Sequence, residues 1–244
     1  MTELIYEQPL NEKIRSYLRL ENLAQQIQRC IAQDQQHQCF YPLFSLVELT
    51  ERCDYRTEVL KDIDRQVQLL RSICYLQEAD SEQVSQLIQQ LNALKAPLQH
   101  PERVGCQLKQ DKFIFALRQR FNMTGAYCNF DLPQLHFWLA KDWQHRQQDI
   151  QYWLHQFEPL LAPITLLLSI YRNAAEFTLL SAHAGFFQGT SPQPLSLIRV
   201  KIDPSHNCYP TISGHKNRYA IHFVDFNIQR HTNETIAFSL ATCG

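Results

Sequence analysis

The sequence predicts an α+β fold, with a large helical domain over residues 10–184 and a smaller, mainly C-terminal antiparallel β domain over 185–244 that residues 1–9 can join. Apolar residues recur at helix spacing through the first two thirds of the chain, whereas after Gly185 they alternate with polar residues. The chain has 244 residues, of which 45% are hydrophobic, so it is long enough to bury a sizeable core.

The N-terminal region predicts one short strand followed by two helices. Residues 4–6 fit a strand. Asn11 is a suitable N-cap for the first helix, which we expect to end in the polar run 33–38. Pro42 is suited to the first turn of a second helix.

Two further helices are predicted before residue 100. The third is expected to turn Ile63 and Val67 towards the core and Asp62 towards solvent. The pair at 80–81, Asp followed by Ser, predicts the start of a fourth.

The central region predicts helices on both sides of a break at 122–133. A helix with an apolar stripe follows Asp111, and the run 159–171, which contains Pro163, predicts a buried core helix. We expect helical structure to continue to His183.

The C-terminal third contains an alternating stretch, 209–223 (YPTISGHKNRYAIHF), around which the β domain is expected to be organised. One face of its last part carries Tyr219, Ile221 and Phe223, and the other carries Arg218, Ala220 and His222. This alternation predicts a half-buried strand with a polar outer face.

A polar turn precedes this strand, in which Gly214 can take a positive φ and Asn217 tolerates one. Lys216 lies in the same turn. A second alternating strand carries Arg199 and Lys201 on its polar face, and we expect the two strands to present their basic faces together. Cations are also ordinary on the solvated face of an antiparallel sheet, so this pattern leaves a binding site and a plain solvated surface open.

The overall charge requires any basic site to be local, because the formal net charge is -1 and the pI is about 6.8. The first residues lack the pattern of a secretory signal, and the longest apolar run is too short to cross a bilayer. We therefore expect a cytoplasmic protein without membrane insertion.

The motifs of common enzymes and cofactor sites are missing from the sequence. Its 6 glycines form neither a phosphate-binding loop nor a dinucleotide fingerprint, so we expect no cofactor and no catalytic residues. Cys128 with His136 is a possible nucleophile and base, but a buried thiol is the preferred interpretation.

Two His-x-Cys pairs, at 37–39 and 206–208, offer metal ligands, and together they could form a tetrahedral zinc site. One intervening residue is a tighter spacing than usual in zinc sites. We therefore predict no metal.

Several stretches of the chain carry a specific resemblance through their order and spacing. They are PLNEK at 9–13, RTEVLK at 56–61 with DRQ at 64–66, NFDLP at 129–133 with LHFWL at 135–139, and ISGHKNR at 212–218. These stretches resemble the ZapD family of bacterial cell-division proteins, and the resemblance extends from near the N-terminus to the C-terminus.

The resemblance implies a non-enzymatic, cytoplasmic homodimer that acts at the midcell division ring during septation. It implies binding to the C-terminal tail of FtsZ, the tubulin-like GTPase that forms this ring. Members of the family hold this tail and cross-link FtsZ protofilaments into bundles.

The family's tail site is a basic pocket near the domain junction, and the resemblance assigns it to Lys112, Arg218 and His222. Relatives tend to carry arginine at the positions of Lys112 and His222. Lysine keeps the charge but lacks the guanidinium fork, and histidine is only partly charged near neutral pH. Lys216, Arg199 and Lys201 complete the predicted set of tail-binding residues.

A second function remains open on the residues alone. The same basic face, with Tyr209 and Tyr219 as stacking groups, is compatible with a nucleic-acid-binding module. The nearly neutral overall charge argues against it, so we predict no nucleic-acid partner.

Overall fold

The structure is a computed structural model that describes residues 3–76, 81–121, 123–125 and 128–244, without the side chains of 73–76 and 81. The chain divides into two units. The β unit comprises Met1–Leu18 and Leu168–Gly244, and the helical unit comprises Arg19–Leu167.

The described helices lie mainly in the N-terminal and central parts of the chain, as the predicted α+β fold class requires. They are α1 (Glu12–Ala32), α2 (Phe40–Arg52), α3 (Arg56–Leu76), α4 (Ser81–Ala93), α5 (Lys95–Leu98), α6 (Lys112–Arg120), α7 (Pro133–Leu139), α8 (Trp143–His155) and α9 (Glu158–Asn173). Single 3-10 turns occur at Gln36–Cys39, Cys106–Lys109 and Pro204–His206.

Side-chain caps fix the beginnings of several helices. Asn11 Oδ1 accepts a hydrogen bond from the Ile14 backbone N–H at 2.9 Å, which confirms the predicted N-cap. Asp111 Oδ1 caps α6 by accepting from the N–H groups of Phe113 and Ile114 at 2.9 and 3.0 Å. The other predicted cap residue, Asp80, lies outside the described residues.

The strands form two antiparallel sheets. They are β1 (Leu4–Pro9), β2 (Thr178–Ala182), β3 (Phe186–Thr190), β4 (Leu197–Ile202), β5 (Cys208–His215), β6 (Arg218–Asp225) and β7 (Ile236–Cys243). Sheet A has the order β1-β4-β7-β2, and sheet B has the order β3-β6-β5. The N-terminal strand therefore joins the C-terminal β structure, as predicted.

The two sheets of the β unit share one apolar core. Ile221 and Phe223 of β6 are fully buried, which confirms the predicted inner face of this strand. They belong to one cluster with inward residues of β4 and β7, and the rings of Phe223 and Phe238 lie 5.2 Å apart. Because both inner faces point into this cluster, the outer faces of sheets A and B point away from each other.

The core of the helical unit contains a cluster of aromatic rings around Phe40. The Phe40 ring lies 5.2 Å from Trp138, 5.6 Å from Trp153 and 5.9 Å from Phe121. These contacts join α2 to the C-terminal ends of α6, α7 and α8.

The apolar run after Pro159 forms the predicted buried helix, α9, in which Ile164, Leu167 and Leu168 are fully buried. The chain continues helically through Pro163. Within the described ranges, no helix is both long enough and apolar enough to span a bilayer.

Three local predictions are wrong. A buried thiol was the preferred interpretation of Cys128, but this residue is exposed. Residues before His183 were expected to be helical, but Thr178–Ala182 forms β2 because it pairs with β7, far away in sequence.

Asp62 was expected to face solvent, but it is 3% exposed. The predicted inward residues of α3, Ile63 and Val67, are 0% and 5% exposed. The buried stripe also includes Val59, Asp62 and Gln66, so it is wider on one side than the sequence pattern indicated.

Candidate functional site

The most exposed group of predicted cations lies at the tip of the β5–β6 hairpin. His215 pairs with Arg218, which leaves Lys216 and Asn217 as a two-residue turn. The side chains of His215, Lys216 and Arg218 are exposed. We call this tip, defined by these three residues, the basic hairpin.

The backbone of the turn differs from the prediction in one detail. The positive φ falls on Lys216, at 53°, and not on Gly214 or Asn217. Gly214 instead lies within β5, where a Cβ would come 2.8 Å from Leu10 Cδ2 and 3.2 Å from the Arg218 carbonyl oxygen. Glycine is therefore needed here because the Leu10 side chain and the Arg218 backbone approach closely, and not because the turn requires a left-handed conformation.

The basic hairpin is fixed by hydrogen bonds from the segment after β3. The Ser191 N–H donates to the Asn217 carbonyl at 2.8 Å, and the Leu195 N–H donates to the Lys216 carbonyl at 2.9 Å. Both bonds end on turn residues. The cationic side chains therefore project from a backbone whose position these two hydrogen bonds fix.

His222 lies on the same outer face of β6 as Arg218. The two residues are four positions apart, or about 13 Å along an extended strand. The His222 ring lies 4.6 Å from the ring of Phe186 and 4.5 Å from the ring of His231. His222 is thus half-buried between two tilted rings. An extended peptide of four or five residues would reach both His222 and Arg218.

Arg199 is held by a carboxylate of the N-terminal strand. Its Nε lies 3.0 Å from Glu7 Oε1, its Nη1 donates to the Arg172 carbonyl at 3.1 Å, and its side chain is 15% exposed. The guanidinium also lies 5.0 Å from the ring centroid of Phe177. Arg199 therefore contributes to packing within the β unit.

Lys201 has a similar environment on the same strand. Its Nζ lies 3.0 Å from Glu3 Oε2 and 5.3 Å from the ring centroid of Phe177. Its side chain is 26% exposed, so the ammonium is partly accessible.

The expectation that the two basic strand faces are presented together is wrong. Arg199 and Lys201 belong to β4 in sheet A, whereas Arg218 and His222 belong to β6 in sheet B. The apolar faces of both strands point into the shared core, so their polar faces are directed apart.

Lys112 is the first residue of α6, in the helical unit, and its side chain is exposed. Arg118 on the same helix is engaged differently, because its Nη1 and Nη2 donate to the two carboxylate oxygens of Glu51 at 2.9 and 2.7 Å. This paired hydrogen bond holds the pKa of Glu51 below its ordinary value.

Sequence reasoning missed three residues of these surfaces. Glu7 faces Arg199 in the β1–β4 register, and this pairing of opposite charges becomes visible only once the two strands are aligned. His215 faces Arg218, and the ring of His231 contacts that of His222. The local signal was the ISGHKNR stretch, which contains His215 but not His231.

The possible metal ligands show no common site among the described residues. Cys39 is 1% exposed, and burial is the main cause of its raised thiol pKa. Within the described parts of the chain, no three histidine, cysteine or acidic side chains are arranged to hold a metal ion.

The fold and the hairpin define an α+β protein whose β unit displays a fixed, exposed cationic tip. Sequence comparison identifies the family: the ZapD model, described as a cell division protein, matches residues 18–222. The chain belongs to the ZapD family.

Full-length relatives agree with this assignment. The chain is 63% identical to the cell division protein ZapD of Shewanella sp. strain MR-7 and to that of Shewanella baltica strain OS185, over 243 residues in each case. It is 37% identical over 246 residues to the cell division protein ZapD of Vibrio cholerae strain O395. Each alignment covers 100% of both chains.

Proposed function

We propose that this protein binds the C-terminal tail of FtsZ and, as a homodimer in the cytoplasm, cross-links FtsZ protofilaments at the midcell division ring. Membership of the ZapD family supports a role in cell division. The observation that carries the binding proposal is the basic hairpin, which exposes Lys216 and Arg218 from a held backbone.

The exposure of these cations sets the strength of the contact. An exposed ion pair contributes only about 0.2–1 kcal/mol, and it weakens as salt is added. A flexible tail also loses conformational entropy when it docks. We therefore expect one tail to bind one protomer weakly and with a marked dependence on ionic strength.

Bundling then follows from valency. A two-fold dimer carries two equivalent tail sites, and a polymer presents many tails. Once one tail is bound, the second binding event occurs at a high effective concentration, so weak contacts combine into a stable cross-link. A monomer with the same site binds polymers without bundling them.

The central test reverses both turn cations, in the double variant Lys216→Glu and Arg218→Glu. We expect this variant to lose co-sedimentation with FtsZ polymers and the associated rise in light scattering. The wild-type protein should show the same loss when FtsZ lacks its C-terminal tail.

A matched control reverses two exposed arginines of α3, in the double variant Arg65→Glu and Arg71→Glu. This variant has the same change in net charge and is expected to bundle as the wild type does. Normal bundling by the folded hairpin variant would reject the basic hairpin as the tail site.

The remaining predicted residues are tested separately. The family resemblance assigns Lys112 to tail binding, and we expect Lys112→Glu to weaken co-sedimentation. Arg199→Gln is expected to lower the stability of the β unit and leave tail binding by the folded protein unchanged, because Arg199 is occupied by Glu7. Lys201→Gln is expected to lower the stability less than Arg199→Gln does, because its partner Glu3 is 60% exposed, and to weaken tail binding slightly, because the ammonium is partly accessible.

A further inference from the structure

The helical unit contains an open cavity of about 650 Å³ between the start of α6 and the helices α7 and α8. Five aromatic rings line it: Phe113, Phe137, Trp138, Tyr152 and Trp153. We call it the aromatic cavity. Its size lies within the range of sites that hold a small molecule or a large side chain.

The floor of the aromatic cavity is preformed. The rings of Phe113 and Trp153 are stacked 5.9 Å apart, and those of Trp138 and Trp153 are 5.8 Å apart. Each indole is also held by a carboxylate. Trp138 Nε1 donates to Asp149 Oδ2 at 2.9 Å, and Trp153 Nε1 donates to Asp111 Oδ2 at 3.3 Å.

The rim of the cavity is apolar, and the described residues of the helical unit leave it uncovered. Phe137 is 72% exposed and Tyr152 is 55% exposed. Large aromatic side chains with this exposure, beside a cavity, are typical of a surface that another group contacts.

The charges in the lining favour a cationic occupant. Asp111 and Asp149 contribute two carboxylates, and Lys141 contributes one ammonium, 3.5 Å from Asp149 Oδ2. The lining therefore has one excess negative charge. Aromatic faces add to this preference, because their negative potential attracts cations.

A guanidinium in similar surroundings already occurs elsewhere in the helical unit. Arg146 lies 5.7 Å from the ring centroid of Trp138 and 5.4 Å from that of Trp143. It also forms a two-point ion pair with Asp34, and its side chain is 8% exposed. Tryptophan rings and an aspartate thus hold an arginine in this fold.

We propose that the aromatic cavity binds an arginine side chain of a partner polypeptide. Arginine fits better than lysine, because its planar group stacks on rings and donates to a carboxylate at two points. A polypeptide fits better than a free amino acid, because the exposed rims of Phe137 and Tyr152 can then contact the flanking residues. This site uses none of the residues of the basic hairpin, although Lys112, which the family resemblance assigns to tail binding, lies in sequence between two of its lining residues, Asp111 and Phe113.

The test compares N-acetyl-arginine amide with N-acetyl-citrulline amide, which has nearly the same shape but no charge. Tryptophan fluorescence and NMR titration report on the cavity, since Trp138 and Trp153 form its floor. We expect the arginine probe to shift these signals and the citrulline probe to bind at least tenfold more weakly. A short peptide with a central arginine should bind more tightly than the single residue.

The matched variants are Asp149→Asn and Glu48→Gln. The first removes a cavity charge while keeping an oxygen that can accept from Trp138, and the second removes an exposed charge on α2. We expect about a fivefold or larger loss of arginine binding for Asp149→Asn and no change for Glu48→Gln.

Several outcomes would overturn the proposal. They are equal binding of the two probes, unaltered binding by folded Asp149→Asn, and loss of probe binding in the Lys216→Glu and Arg218→Glu variant. Protection of Tyr152 that rises with protein concentration, without any response to the arginine probe, would instead assign the cavity to contact between copies of this chain. In that case the proposal would also fall.

Discussion

Glu7 and Arg199 face each other across the β1–β4 pair, with Glu7 Oε1 3.0 Å from Arg199 Nε. The second carboxylate oxygen of Glu7 lies 2.8 Å from Nη2 of Arg172, at the end of α9. The three side chains are 15–23% exposed. One carboxylate therefore joins β1, β4 and the last turn of α9, all of which belong to the β unit.

We expect Glu7→Gln to lower the free energy of unfolding of the β unit by roughly 1–3 kcal/mol, because two partly buried guanidinium groups lose their anionic partner. Hydrogen exchange of the β1 and β4 amides measures this locally. Glu12→Gln is the matched control, since Glu12 is 84% exposed and its pair with Arg15 should contribute little. Equal exchange rates in the two variants would contradict the prediction.

The ion pair between Asp34 and Arg146 predicts that the stability of the helical unit depends on pH. The hydrogen bond from Arg146 is the main reason why the pKa of Asp34 is lowered. A lowered pKa stabilises the fold at pH values above that of an unfolded aspartate, about 3.9, and this stabilisation is lost as the pH falls through the folded value.

We therefore expect Asp34→Asn to be less stable than the wild type at pH 7, by about 1–2 kcal/mol after allowance for the partial exposure of Asp34. The difference should shrink below about pH 4. Urea unfolding followed by tryptophan fluorescence measures it, because Arg146 lies against Trp138 and Trp143. A difference that stays constant from pH 7 to pH 3 would contradict the assignment.

Substitutions at Gly189 and Tyr219 are expected to have strongly coupled effects on stability. They face each other in the β3–β6 register, and a Cβ on Gly189 would overlap the Tyr219 hydroxyl and ring. We expect Gly189→Ala to destabilise the β unit by roughly 1–3 kcal/mol, because the tyrosine must move. In a Tyr219→Ala background the same change should cost much less, and a double-mutant cycle measures the coupling. Additive effects would refute a direct contact.

His222→Arg tests the proposed tail site from the opposite direction. The substitution adds a permanent charge to the outer face of β6, and one more exposed ion pair should tighten tail binding by about two- to fivefold. The gain should diminish at high salt. His222→Gln is the neutral control, and identical affinities of the two variants for an FtsZ tail peptide would exclude a contribution from this position.

Much of the fold could be predicted from local patterns. The alternation of Tyr219, Ile221 and Phe223 identified the inner face of β6, and the side chains of Asn11 and Asp111 identified the starts of two helices. These signals are reliable because they depend on neighbours within a few residues.

The errors concern structure that distant partners determine. Thr178–Ala182 follows a helix and contains residues that fit a helix, yet pairing with β7 makes it a strand. The association of Glu7 with Arg199 depends on a register between strands about 190 residues apart. The direction in which the Arg199 side chain points depends on β4 joining sheet A and not sheet B. The alternation of apolar and polar residues does not reveal which sheet a strand joins.

The strand order of sheet A has a consequence for synthesis on the ribosome. β7 lies between β4 and β2, so one of the two internal strands of this sheet is missing until residues 236–243 have left the exit tunnel. Arg19–Leu167 emerges earlier and contains its own aromatic core. The nascent chain is therefore expected to acquire its helical part first and to carry unpaired strand edges until β7 has emerged, a period in which a chaperone would protect it from aggregation.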